Sequence, residues 1–115
     1  MRLRGVRTLS GRAFRYYQCH SFGCRSGSVL LLISREVTVE PMVGFIVTKK
    51  VGSAVKRNKV RRRLRALLPF LVSMKKLLNR AYIFIPSPAS VFSDFSAIRR
   101  DVLSCLERAN RSRSL

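Results

Sequence analysis

Residues 42–68, MVGFIVTKKVGSAVKRNKVRRRLRALL, carry two periodicities in succession, and the fold follows from the change between them. Val43 to Val47 is a short apolar run with β-branched members, the pattern of a strand covered on both faces. Lys49 and Lys50 end it, Gly52 frees the backbone for a turn, and Ser53 is placed to cap a helix. From Ala54 the period becomes helical, with Val60, Leu64, Leu67, Leu68 and Leu71 forming one apolar stripe.

The other side of that helix is cationic. From Lys56 to Arg65 seven of ten residues are Lys or Arg, among them Lys59. Helical geometry sets Asn58, Arg61, Arg62 and Arg65 opposite or beside the stripe. Arg57 falls within the apolar sector, but in the first turn, where a long side chain can pass the sheet edge. A solvated helix face ordinarily mixes signs to gain pairs one turn apart, yet no acid lies between residues 41 and 93. Charges of one sign packed so densely repel one another and call for an anionic partner.

Composition points the same way. The 115 residues suit a single domain, 1–115, with 1–7 and 111–115 expected to be flexible basic tails. Lys plus Arg number 24 against 5 acids, a net charge of +19, and 18 of the 24 are Arg, the side chain best suited to phosphate forks and base stacking. RNA or DNA is the expected partner; no obligate protein partner is evident. A protein that hydrolyses phosphodiesters needs clustered carboxylates for metals or a His pair, and five scattered acids with one His supply neither.

The basic N-terminus lacks the apolar core of a secretory signal and no run is long enough to span a bilayer, so a cytoplasmic protein with no membrane partner is expected. A surface-lying amphipathic helix would carry Trp or Phe at its apolar boundary, and this one has neither before Phe70. Cys19, His20 and Cys24 lack C-x2-C spacing and an evident fourth ligand, so they are read as ordinary residues and no protein metal site is assigned.

Around this centre, residues 9–19 read as a short helix with Ser10 as N-cap and a staple of Leu9 on Phe14; Phe14 and Tyr17 share a side. Aromatics beside arginines such as Arg12 fill core or stack single-stranded RNA bases. CHSFGCRSGS, 19–28, reads as a loop with at most a short strand. Val29–Ile33, Glu36–Val39 and Val43–Val47 read as an antiparallel meander. Pro69 is expected to end or kink the basic helix. Ala81–Ile85 is a further strand, and Ser93 or Asp94 caps a last helix with apolar Phe95, Ile98, Val102, Leu106 and Ala109.

Val47-Thr48-Lys49-Lys50, Gly52, Ala54-Val55, then Arg57-Asn58-Lys59-Val60-Arg61-Arg62 closely resemble the signature of the bacterial ribonuclease P protein component. Lys59 departs from an arginine of that signature, keeping the charge without the bidentate fork. The resemblance implies an α/β (α+β) two-layer sandwich: N-terminal helix, meander, basic helix in a left-handed βαβ crossover, fourth strand, C-terminal helix. General rules would give that crossover the opposite hand.

It further implies two RNA partners. Lys49, Lys50, Lys56, Arg57, Asn58, Lys59, Arg61, Arg62 and Arg65 would meet the ribonuclease P RNA, which carries the active site and, with the substrate, most of the Mg2+. Phe14, Tyr17 and Arg12, with the outer face of the sheet, would hold the 5′ leader of precursor tRNA. The family's second aromatic on that helix is Gln18 here. The competing readings are a small basic ribosomal or other structural RNA-binding protein, and a nuclease that works without an RNA subunit.

Overall fold

The computed structural model describes residues 6–113, with side chains from 6 to 110. The elements in order are β1 (Arg7–Thr8), α1 (Gly11–Cys19), β2 (Ser21–Ser26), β3 (Val29–Ser34), β4 (Met42–Phe45), α2 (Ala54–Ser73), β5 (Ala81–Pro86) and α3 (Phe95–Arg113). Short 3-10 turns, Lys49–Val51 and Pro88–Phe92, precede α2 and α3. The strands form one mixed sheet in the order β1-β4-β5-β3-β2.

Strand order corrects the expected meander. β5 lies between β3 and β4, antiparallel to β3 (Leu31 opposite Phe84) and parallel to β4 (Gly44 opposite Ile83). The reason is apolarity on both faces: β3 and β5 bury alternate side chains on each side and therefore take the interior of the sheet. The antiparallel neighbour of β3 is β2, paired from Ser21–Ser34 to Ser26–Val29, in the stretch expected to be mostly loop. Glu36–Val39 is not a strand. Its alternation is real, but Val37 and Val39 point to solvent, 72% and 95% exposed, so the segment has no apolar face to pack.

Both expected tail segments are partly structured. Arg7 and Thr8 pair in parallel with Met42 and Val43 beside a buried Val6, and α3 runs to Arg113. The remaining tail residues, 1–5 and 114–115, lie outside the described part.

Alternation along the strands sorts the apolar residues into two clusters. Val43, Leu31, Ile33, Tyr82 and Phe84 face α2 and α3, meeting the stripe Val60, Leu64, Leu67, Leu68, Leu71 and, from α3, Ile98, Val102, Cys105, Leu106 and Ala109. Phe95, expected in that stripe, is 38% exposed. On the opposite face Ala81, Ile83 and Leu9 form a smaller cluster with Ala13, Phe14 and Tyr17 of α1. The body is thus a sheet with two helices on one side and α1 laid over part of the other.

Polar side chains tie the layers together. Asp101 of α3 accepts from the Ser28 amide (3.1 Å) and hydroxyl (3.3 Å), holding the β2–β3 turn. At that turn Gly27 has φ +53°, and a Cβ there would strike the Asp101 carboxylate. Arg108 donates to the Arg25 carbonyl at 2.6 Å, and Arg63 of α2 donates to the Ser93 carbonyl at 2.6 Å. Asp94 is the cap of α3, its Oδ1 accepting from Ala97 N–H at 2.8 Å.

α2 starts as the sequence indicates: Gly52 has φ +142°, and Ser53 accepts from the Lys56 amide at 3.4 Å. Its end lies beyond Pro69. The proline sits on the exposed side, where water can satisfy the Arg65 carbonyl left without an amide donor, so the helix runs on to Ser73. It closes in a Schellman arrangement, Lys76 N–H to Leu71 O at 2.9 Å and Lys75 N–H to Val72 O at 3.0 Å, with Lys75 at φ +55° where glycine is usual. Cys105 donates to the Cys24 carbonyl at 3.1 Å, and burial pushes its thiol up to about 12.

Lys75→Gly is expected to stabilise the protein by about 0.5–1 kcal/mol, read as a higher urea midpoint at constant slope. In native protein at pH 8 a maleimide should label exposed Cys19 rapidly and Cys105 only after denaturant is added; equal rates at the two would contradict the described burial.

Candidate nucleic-acid interface

Two surfaces carry the residues singled out by the sequence. The first is the outer side of α2 and the turn before it. Lys49 and Lys50 project from the turn, held by Val51, which is buried. Lys56, Asn58, Lys59, Arg62 and Arg65 are exposed, and Arg57 and Arg61 are half-buried. Asn58 Oδ1 accepts from Arg61 Nη1 at 3.1 Å, which orients that guanidinium. Among the described residues none of these cations has a carboxylate within ion-pair distance. Arg57 passes beside the core as its position in the first turn requires, and its Nε is buried without a hydrogen-bond partner.

Arg63, in the middle of the basic run, faces the other way. Its bond to Ser93 makes it a brace between α2 and the α3 approach rather than part of the free cationic surface.

The second surface lies around α1. Phe14 and Tyr17 share a side, but it is the sheet side: both are half-buried against Leu9, Ile83 and their neighbours. Gly44 makes that docking possible, since a Cβ there would lie 2.6 Å from Phe14 Cε2 and 3.3 Å from Leu9 Cβ. Arg12 is exposed. Ser10 occupies the N-cap position without a side-chain bond, because Gly11 at φ +56° carries the chain out of helical geometry directly after it. Tyr17 also walls a depression of about 290 Å³ with Met42, Arg7 and the 37–40 segment.

On α1 an exposed aromatic was not anticipated. Tyr16 is 44% exposed, stacks on His20 (centroids 4.1 Å apart, planes 12°) and donates from its hydroxyl to Glu36. Its spacing of four from His20 was the available signal.

All five acids have work elsewhere. Glu36 meets Tyr16, Glu40 pairs with Arg7 at 3.0 Å, Asp94 caps α3, Asp101 holds Ser28, and Glu107 approaches Lys76 at 3.8 Å. Among the described residues no three of His, Cys, Asp and Glu converge, so these side chains do not fit a Mg2+ site. Cys19 ends α1 while Cys24 lies in β2.

The sequence profile of the family described as Ribonuclease P matches residues 9–110. The ribonuclease P protein component of Nitratiruptor sp. is 32% identical over 110 residues, covering 95% of this chain and 97% of that protein. That of Thermus thermophilus is 41% identical over 70 residues, 61% of this chain and 40% of the relative. Among solved structures, the Staphylococcus aureus RNase P protein superposes with a TM-score of 0.73 at 21% identity, covering 89% of this chain and 94% of that one. The Thermotoga maritima RNase P protein gives 0.69 at 21%, covering 84% and 91%. At such identities the structural likeness speaks for the fold.

Gly44→Ala is expected to cost about 1–3 kcal/mol in urea denaturation by forcing the Phe14 ring off the strand. In a Phe14→Ala background the same change should cost much less, and additive losses would show that the two residues do not share this packing.

Proposed function

We infer how this chain works from one premise: it belongs to the ribonuclease P protein family and is the protein subunit of that endoribonuclease, an RNA-binding component of tRNA processing. Its partner is the ribonuclease P RNA.

In our reading Lys49, Lys50, Lys56, Arg57, Asn58, Lys59, Arg61, Arg62 and Arg65 grip that RNA, while Phe14, Tyr17 and Arg12 hold the 5′ leader of precursor tRNA. The observation that carries it is the cationic face of α2, which finds no internal counter-charge among the described residues. Anionic groups relieve the repulsion on that face, and a folded RNA supplies phosphates at fixed spacing. Tyr16, exposed beside His20, adds a ring next to Tyr17 on which a leader base can stack.

The cutting itself belongs to the RNA. Mg2+ is held mainly by the RNA subunit and substrate, since this chain's acids are committed to capping, turn-holding and ion pairs. What the protein does is neutralise phosphates and position the leader, in the cytoplasm; no helix among the described residues is long and apolar enough to cross a membrane.

Purified protein added to the cognate catalytic RNA at low Mg2+ is expected to speed leader removal from precursor tRNA; absence of stimulation would favour a ribosomal-type role, and cleavage without added RNA a nuclease. Arg61→Ala and Arg65→Ala should each weaken catalytic-RNA binding and lower the log–log salt slope by about 0.7–0.9. An unchanged slope in both variants would remove these arginines from the interface.

A further inference from the structure

Between α2 and the β1–β4 edge of the sheet runs a half-open apolar slot of about 280 Å³. Buried Val6, Val43 and Leu68 and half-buried Phe45 form its walls, and exposed Arg62 and Arg65 stand beside them. It lies on the α2 side of the sheet, away from α1. A dry apolar cavity of about 150 Å³ already accepts a benzene ring, so this slot has room for a larger heteroaromatic ring.

We propose that the slot is a nucleotide-binding site that takes one unpaired base of the catalytic RNA, with the adjoining phosphates on Arg62 and Arg65. The proposal rests on the subunit reading above and specifies how one part of that interface works. Charge complementarity selects the occupant. A ligand that satisfies both walls and rim needs a flat apolar body joined to an anion, which describes a nucleotide. A second copy of this chain, itself at +19, would bring more positive charge to a slot whose described lining holds no acid. The RNA source is the catalytic subunit because Arg62 and Arg65 belong to the α2 face assigned to it, whereas the leader is assigned to the opposite face of the sheet.

Base insertion differs from phosphate contact in its dependence on the ring. With full-length protein carrying labelled methyl groups, AMP or CMP should shift the Val6, Val43 and Leu68 resonances saturably, while ribose 5-phosphate and inorganic phosphate at equal concentration should not. Arg62→Gln should weaken the nucleotide titration several-fold with the fold retained. Filling the slot with the double substitution Thr8→Leu, Ala66→Leu, both at exposed lining positions, should abolish it. The filled variant should also bind catalytic RNA about tenfold more weakly, with precursor-tRNA leader affinity unchanged.

Equal shifts from ribose 5-phosphate and AMP would reduce the site to a surface anion contact and overturn the proposal. So would nucleotide shifts confined to residues around α1, tighter binding of an acidic peptide than of a nucleotide, or full catalytic-RNA affinity in the filled variant. That last result would leave the subunit reading standing, provided the unmodified protein still stimulates leader removal; loss of stimulation by the unmodified protein would instead sink the subunit reading.

Discussion

Burial of one side of α2 governs everything else in this protein. Val60, Leu64, Leu67, Leu68 and Leu71 are nearly or fully withdrawn from solvent, and their fixed helical spacing leaves Lys56, Lys59, Arg62 and Arg65 on the outward side. Hydrophobic packing therefore opposes electrostatic repulsion along one element. The repulsion persists in the free protein because no acid of the described chain lies within ion-pair distance of those cations, and binding a polyanion relieves it.

That arrangement needs a rigid base, and the sheet provides it. β5 inserts between β3 and β4, so the two strands richest in side chains buried on both faces sit at the centre, with Tyr82 and Phe84 under the helices and Ile83 under α1. Even buried Tyr82 is satisfied, its hydroxyl accepting the Leu78 amide at 2.9 Å, and burial raises its pKa above the ordinary phenol value. The turn preceding α2 is anchored through Val51, which fixes where Lys49 and Lys50 project.

The scarcity of acids has a consequence for chemistry. Each of the five is engaged in a cap, a turn or a pair, and among the described residues no three metal-ligating side chains converge. Among the described residues this subunit of an endoribonuclease presents a charged and shaped surface, and no group of three side chains able to hold a metal ion. An apolar slot flanked by Arg62 and Arg65 adds shape to that charged surface.

Local signals sufficed wherever the physics is local. Ser53 and Asp94 cap their helices, the α2 stripe is buried residue for residue, and the unpaired cationic side follows from helical spacing and the absence of acids nearby. Resemblance of residues 47–62 to one family supplied the partner, which no spacing rule contains. Only the tertiary structure decided the rest, because it depends on which distant surfaces meet. Whether β5 or the 36–39 segment lies beside β3 depends on long-range pairing, and an alternating pattern cannot say whether its valines face core or water. Arg63 reads like its neighbours until Ser93 is found opposite it. Pro69 interrupts a helix only where its lost hydrogen bond cannot be replaced; the stripe sets it on the outer side, but only the tertiary structure shows the helix running on through it to Ser73.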